Sequence, residues 1–220
     1  MLHPEITTLL AYVAAKKFGD VQMATNATLL TGRLYDLLVR SLTFISFSLD
    51  AARTYNMTRV PATYETVEKN ILKFLEYNKG RVRTQASMVR TGSACDEDIK
   101  QFKEVWGERV DRVRIYEEHS RNGVFGSLNT PRRERRPCVM PFYEMLVYDD
   151  GRVGRCNHDW NGDALGDLKL STIAEIWYSQ PYESLRNQHN KLVFSDAVCG
   201  KCDSWYPEIA KQGTGEVMEK

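Results

Sequence analysis

The chain has 220 residues, enough for one domain of ordinary size and a smaller second one. With 42% hydrophobic and 27% charged residues and a net charge of +1, nothing global points to nucleic acid or to an anionic membrane. No stretch approaches the roughly 18 apolar residues of a membrane span. The opening Met-Leu-His-Pro-Glu-Ile also lacks the basic and apolar regions of a signal peptide, so a cytoplasmic location is expected.

Residues 4–116 alternate between helical and extended patterns. Pro4 to Phe18 reads as a helix, with Ile6, Leu9, Leu10, Val13 and Ala14 on one face. Val21–Asn26 follows as a strand, and Thr31 to about Leu42 as a helix through Leu34, Leu37 and Leu38. Phe44–Asp50 is a strand of buried character. Thr63 to about Tyr77 is a helix carried by Val67, Ile71, Phe74 and Leu75. Arg81–Val89 alternates as a strand, Asp96–Trp106 is a helix capped at Cys95 or Asp96, and Val110–Tyr116 is a fourth strand. Strands separated by helices at this spacing predict parallel strands with crossover helices, an α/β sheet or part of a barrel.

The character then changes. Residues 121–137, with glycines, prolines and the run Arg132-Arg-Glu-Arg-Arg136, read as a linker. That run lacks the interleaved aromatics of a nucleic-acid surface. Beyond it, Met145-Leu-Val-Tyr148, Asp-Asp-Gly151 and Arg-Val-Gly-Arg155 make a hairpin pattern, because Gly takes the positive φ of the turn at no steric cost. One helix is expected from about Ser171 to His189.

Four of the five cysteines lie in this last third. Cys138 and Cys156 frame the hairpin, and Cys199-Gly-Lys-Cys202 is a CxxC whose Gly200 permits a tight turn. In a reducing compartment such a cluster points to a metal centre, and four soft thiolates suit zinc or an iron–sulfur cluster. Buried structural thiols and a thioredoxin-like redox pair are the competing readings, the second weakened by the Pro207-containing polar tail that follows. Cys95 stands apart in a polar loop and reads as a capping thiol.

This pattern resembles the SPASM/twitch iron–sulfur domain of radical SAM enzymes. The matching text is Cys138, Gly151, Cys156-Asn-His-Asp-Trp160, Leu165-Gly-Asp-Leu168, Ile173-Ala-Glu-Ile-Trp177, Leu185-Arg186, His189 and Cys199-Gly-Lys-Cys202. The resemblance implies that Cys138, Cys156, Cys199 and Cys202 hold one auxiliary 4Fe–4S cluster, with Arg136, Arg155 and Lys201 as candidates to offset its negative charge. His158 and His189 are weaker ligand candidates, and Asp159 and Trp160 are candidates to wall the cluster. Met140, Tyr143, Trp177 and Trp205 read as packing.

The earlier residues resemble the middle of the radical SAM partial barrel. Thr25-Asn26-Ala27 matches a third-strand Thr-Asn-Gly motif with Ala in place of Gly, and Ser46-Phe-Ser48-Leu-Asp50 matches a fourth-strand Ser-x-Asp motif. On this resemblance Thr25, Asn26, Ser48, Asp50 and Arg59 lie on the S-adenosyl-L-methionine (AdoMet) side. The 220 residues contain neither the CxxxCxxC that holds the AdoMet cluster nor a Gly-Gly-Glu-Pro segment, so the chain reads as starting inside the parent fold. The expected architecture is α/β: an incomplete partial radical SAM (β/α) barrel over 1–120, a linker over 121–137, and a small α+β SPASM/twitch domain with a β-hairpin over 138–220.

The resemblance implies AdoMet-derived radical chemistry on a small-molecule, peptide or carbohydrate-like substrate, with a reductant such as flavodoxin or ferredoxin. AdoMet and a second 4Fe–4S cluster belong to a full-length parent, and the chain alone is expected not to cleave AdoMet. A non-catalytic iron–sulfur or zinc module for electron transfer or scaffolding is the alternative.

Overall fold

The computed structural model describes residues 3–91, 95–117, 135–157, 159, 163–195, 197–202 and 215–220. The chain divides into two units, Met1–Glu117 with Gly215–Lys220, and Glu118–Thr214.

The first unit holds a five-stranded sheet. Strands β1 (Gln22–Thr25), β2 (Phe44–Ser48), β3 (Arg83–Arg90) and β4 (Arg112–Glu117) run parallel, each paired to the next. Helices α1 (Ile6–Lys16), α2 (Gly32–Ser41), α4 (Tyr64–Asn78) and α5 (Asp96–Gly107) sit where the periodicity places them. Of the face predicted for α1, Leu10 is buried while Leu9 is exposed. Two elements of this unit do not follow from local periodicity. Helix α3 (Ala52–Thr58) is a short turn-like segment without a clear apolar period, and β8 (Gly215–Glu219) pairs antiparallel with β4. Nothing local marks Gly215-Glu-Val-Met-Glu219 as a partner for residues a hundred positions earlier.

The helix-facing side of the sheet carries Ile45, Phe47, Ala86, Met88, Val113 and Ile115. These are packed with Leu34, Leu38, Val67, Ile71 and Phe74 from the helices. Burying each large side chain contributes about 1.5–3 kcal/mol, which is what closes the helices onto the sheet. The other side of the sheet is polar: Ser46, Ser48, Gln85, Ser87, Arg112 and Arg114 alternate with the core residues along their strands. A polar lining of this kind is costly unless hydrogen-bonded. Gln85 Nε2 donates to Ser46 Oγ at 2.8 Å, Ser87 Oγ donates to the Phe47 carbonyl at 3.2 Å, and Arg112 Nε donates to Gln85 Oε1 at 2.5 Å.

The second unit contains a three-stranded antiparallel sheet, β5 (Leu146–Val147), β6 (Arg152–Gly154) and β7 (Gly166–Asp167). The predicted hairpin is β5–β6. Tyr148 N donates to the Arg152 carbonyl at 2.8 Å, Gly151 N donates to the Tyr148 carbonyl at 3.0 Å, and Gly151 has φ +91°. The expected single helix over 171–189 is two helices, α7 (Ile173–Trp177) and α8 (Gln180–Lys191). The break has a local cause: Pro181 cannot donate a backbone N–H and sits in the first turn of α8. Thr172 opens α7 with a reciprocal cap, its Oγ1 accepting from Glu175 N while Glu175 accepts from Thr172 N at 2.8 Å. Val153, Ile176 and Tyr182 form a small apolar core, with Met145, Leu165, Leu168 and Trp177 around it. Gly166 lies against Ile176 so closely that a Cβ would meet the isoleucine side chain at 2.7 Å. The short helices α6 (Met140–Tyr143) and α9 (Ala197–Lys201) complete the unit.

Candidate iron–sulfur centre

The four C-terminal cysteines reach one place from four points in the sequence. Cys138 precedes α6, Cys156 follows β6, Cys199 lies in α9 and Cys202 follows it. All four line one cavity, with Met140, Pro141, Leu185 and Val198 as apolar wall and Arg135, Arg155 and His189 as polar groups. None of the five cysteines forms a disulfide. The hairpin therefore brings Cys156 back toward Cys138, and α8 carries His189 and Leu185 beneath them. Among the described residues no group of three or more His, Cys, Asp or Glu side chains is set to hold a single metal ion. The thiols instead stand around the cavity wall. Burial raises the Cys138 thiol pKa, opposed by the Met140 backbone N–H and by Arg135.

Arg135 is a cation built into this wall. Its Nη1 donates to the Cys202 carbonyl at 2.9 Å and its Nη2 to the Cys199 carbonyl at 3.0 Å. Its guanidinium lies 4.6 Å from the centroid of the Phe194 ring. Arg136, one of the three candidates to offset the cluster's charge, is the next residue and is exposed. In the run of basic residues nothing distinguishes the two; only the fold does. Arg155 lines the cavity and donates to Asp159 at 2.6 Å; Asp159 is buried and Arg155 partly so. Asp159 is thus an ion-pair partner, and its carbonyl accepts from the Tyr148 hydroxyl. His189 is fully buried; its Nδ1 accepts the backbone N–H of Cys138 at 3.2 Å, and its ring packs edge-on against Phe194 at 5.0 Å. It orients the Cys138 segment through the backbone, a role its sequence position does not announce. His158, Trp160 and Trp205, and the side chain of Lys201, lie outside the described residues.

Cys95 is the N-cap of α5, its backbone N–H donating to Asp98 Oδ2 at 3.0 Å. That agrees with its reading as a capping residue.

Thr25, Asn26, Ser48 and Asp50 gather at the C-terminal ends of the adjacent parallel strands β1 and β2, where α/β folds place their sites. Ala27 has φ +57°, the conformation glycine adopts freely, so the turn of the Thr-Asn-Gly pattern is kept without its glycine. Thr25 Oγ1 accepts from Ala27 N at 3.1 Å and Asn26 Oδ1 accepts from Thr28 N at 3.2 Å. Asn70 on α4 braces the turn, its Nδ2 donating to the carbonyls of Ala27 at 3.1 Å and Thr28 at 3.2 Å. Arg59, just after α3, pairs with Asp50.

Residues 138–203 match the SPASM family, an iron–sulfur cluster-binding domain. The fold is similar to that of two crystal structures of Streptococcus suis SuiB at 14% sequence identity. In the first, bound to S-adenosylmethionine, the TM-score is 0.63 over 97% of this chain and 61% of that one. In the second, bound to the precursor peptide SuiA, it is 0.65 over 97% and 60%. A curated relative, an uncharacterized protein of Treponema pallidum (strain Nichols), is 30% identical over 118 residues, 50% of this chain and 31% of that one. The chain thus spans about a third of that relative and about 60% of SuiB. It shares the fold of SuiB over most of its length, and residues 138–203 match an iron–sulfur cluster-binding domain. No described helix is long and apolar enough to cross a membrane.

Proposed function

We propose that Cys138, Cys156, Cys199 and Cys202 hold one auxiliary 4Fe–4S cluster, in a protein whose AdoMet-derived radical chemistry modifies a peptide. The observation that carries this is the shared cavity of the four thiols. Four thiols lining one cavity can each take one iron of a 4Fe–4S cluster, and the match of residues 138–203 to an iron–sulfur cluster-binding family favours that over zinc. Bound there, the cluster supplies one-electron transfer at a potential set by its surroundings. The chain's own residues do the rest. Arg135 places a positive charge on the cavity wall and fixes the Cys199 and Cys202 carbonyls; His189 holds the Cys138 backbone; Met140, Pro141, Leu185 and Val198 exclude water. Thr25, Asn26, Ser48, Asp50 and Arg59 are proposed for the AdoMet side, at the strand ends. A peptide is favoured over a sugar because SuiB, of like fold, was crystallised with its precursor peptide. The electron donor proposed is a flavodoxin or ferredoxin.

The test is anaerobic reconstitution of the chain with iron and sulfide. About four irons and matching sulfide per chain are expected. Cys138→Ser, Cys156→Ser, Cys199→Ser and Cys202→Ser each lower that number and Cys95→Ser does not. Stoichiometric zinc with no retained iron would refute the assignment.

A further inference from the structure

Arg114 lies in the middle of β4, in register with Ser87 on β3, which is in turn in register with Ser48 on β2. Paired residues of neighbouring strands share a face, so Ser48, Ser87 and Arg114 form one row across the polar side of the sheet. Arg114 is only 6% exposed. Its Nε and Nη2 are both buried and have no hydrogen-bond partner among the described residues. The guanidinium lies 5.1 Å from the centroid of the Tyr116 ring, which offers its face and no acceptor in the guanidinium plane. Burial, with Arg112 nearby, lowers the Arg114 pKa, yet a guanidinium stays charged at neutral pH. A buried charge without a partner is among the costliest features a fold can hold.

Nε and Nη2 are the two donors of one edge of the guanidinium, the fork that matches both oxygens of a carboxylate. Elsewhere in this unit the same fork is filled. Arg53 sets Nε and Nη2 on Asp98 at 3.1 and 2.7 Å, and Arg59 sets them on Asp50 at 2.7 and 3.3 Å. The acidic residues of β8 are engaged with other cations: Glu219 lies 3.7 Å from Arg112 and 3.8 Å from Arg83, and Glu216 pairs with Arg90 and Lys103. We infer that the Nε–Nη2 edge of Arg114 is a recognition site for the carboxylate of a ligand bound on the polar side of the sheet, with Ser48 and Ser87 in the same row. The carboxylate belongs either to the aminoacyl part of AdoMet or to the substrate.

The inference does not rest on the cysteine centre, and its test needs no iron. Thermal unfolding of the 220-residue chain is followed with sodium acetate against sodium chloride of equal ionic strength. Acetate is expected to raise the Tm of the wild type by several degrees and that of Arg114→Met not at all. Without acetate, Arg114→Met is expected to melt about 4 °C or more above wild type, because it removes an unpaired buried charge. A second readout needs no apolar variant. The Arg114 Nε–H resonance, assigned by its loss in Arg114→Lys, should move downfield on titration with acetate. AdoMet and decarboxylated AdoMet then separate the sources. Stabilisation by AdoMet alone, lost in Arg114→Met, assigns the carboxylate to the cofactor; equal stabilisation of wild type and variant by both compounds, with acetate still dependent on Arg114, assigns it to the substrate. An acetate effect shared by wild type and Arg114→Met, or an Nε–H signal unmoved by acetate, overturns the site.

Discussion

Arg59 grips Asp50 at the C-terminal edge of the parallel sheet, Nε to Oδ2 at 2.7 Å and Nη2 to Oδ1 at 3.3 Å. The two residues were separately legible as AdoMet-side candidates, and the fold makes them one unit. The side chains are 34% and 17% exposed, so the pair is partly screened. A double-mutant cycle of Asp50→Asn and Arg59→Gln, read by urea unfolding, should give a coupling of about 1 kcal/mol. The double variant should be destabilised by less than the sum of the singles. Strict additivity would show that the pair contributes orientation only.

Arg135 predicts a redox effect. A positive charge beside a cluster favours its reduced, more negative form, so Arg135→Gln should lower the midpoint potential of the reconstituted protein in voltammetry. Arg136→Gln, at an exposed position, should leave the potential within error of the wild type. Equal shifts in both variants would mean that only net charge matters, and that the contacts to the Cys199 and Cys202 carbonyls do not.

Ala27 predicts a steric limit. It is fully buried at φ +57°, in a turn that Asn70 braces. A β-branched residue at positive φ is strained, and here it must also find room in the core. Ala27→Val should cost about 2 kcal/mol or more in urea unfolding. Ala27→Gly should stay within about 1 kcal/mol of wild type, relief of the backbone being offset by the lost methyl group and the freer unfolded chain. A tolerated valine would contradict the left-handed turn.

Asp98 predicts acid sensitivity of the first unit. Hydrogen bonds from Arg53, then the backbone N–H of Cys95, hold its carboxyl well below the usual carboxylate range. A depressed folded pKa contributes stability that is complete above the unfolded value, about 3.9, and is lost as pH falls toward the folded one. Stability of the wild type should therefore drop below about pH 4, and the Asp98→Asn variant should show a shallower drop. Parallel pH profiles for the two proteins would remove Asp98 from the account.

Helical and extended periods are properties of neighbouring residues, and they were readable: α1, α2, α4 and α5, the four parallel strands and the Asp-Asp-Gly hairpin all follow from local apolar spacing and turn chemistry. The cysteine spacing, with Gly200 in the CxxC and a hairpin between Cys138 and Cys156, was legible for the same reason, since a short loop limits where two thiols can go. Pairings across distance were not. Strand β8 finds β4 through a register that no segment of sequence encodes by itself, and α8, whose Tyr182 packs with Val153 and Ile176, brings His189 to the backbone of Cys138. Arg135 rather than Arg136 meets the cavity because one side chain of the run turns inward, a choice fixed by the path of the backbone and not by residue type. Arg114 shows the division most sharply: alternation places it opposite Val113 and Ile115, but only the folded sheet buries its guanidinium and leaves one edge without a carboxylate among the described residues, since burial and pairing are decided by everything packed around a side chain.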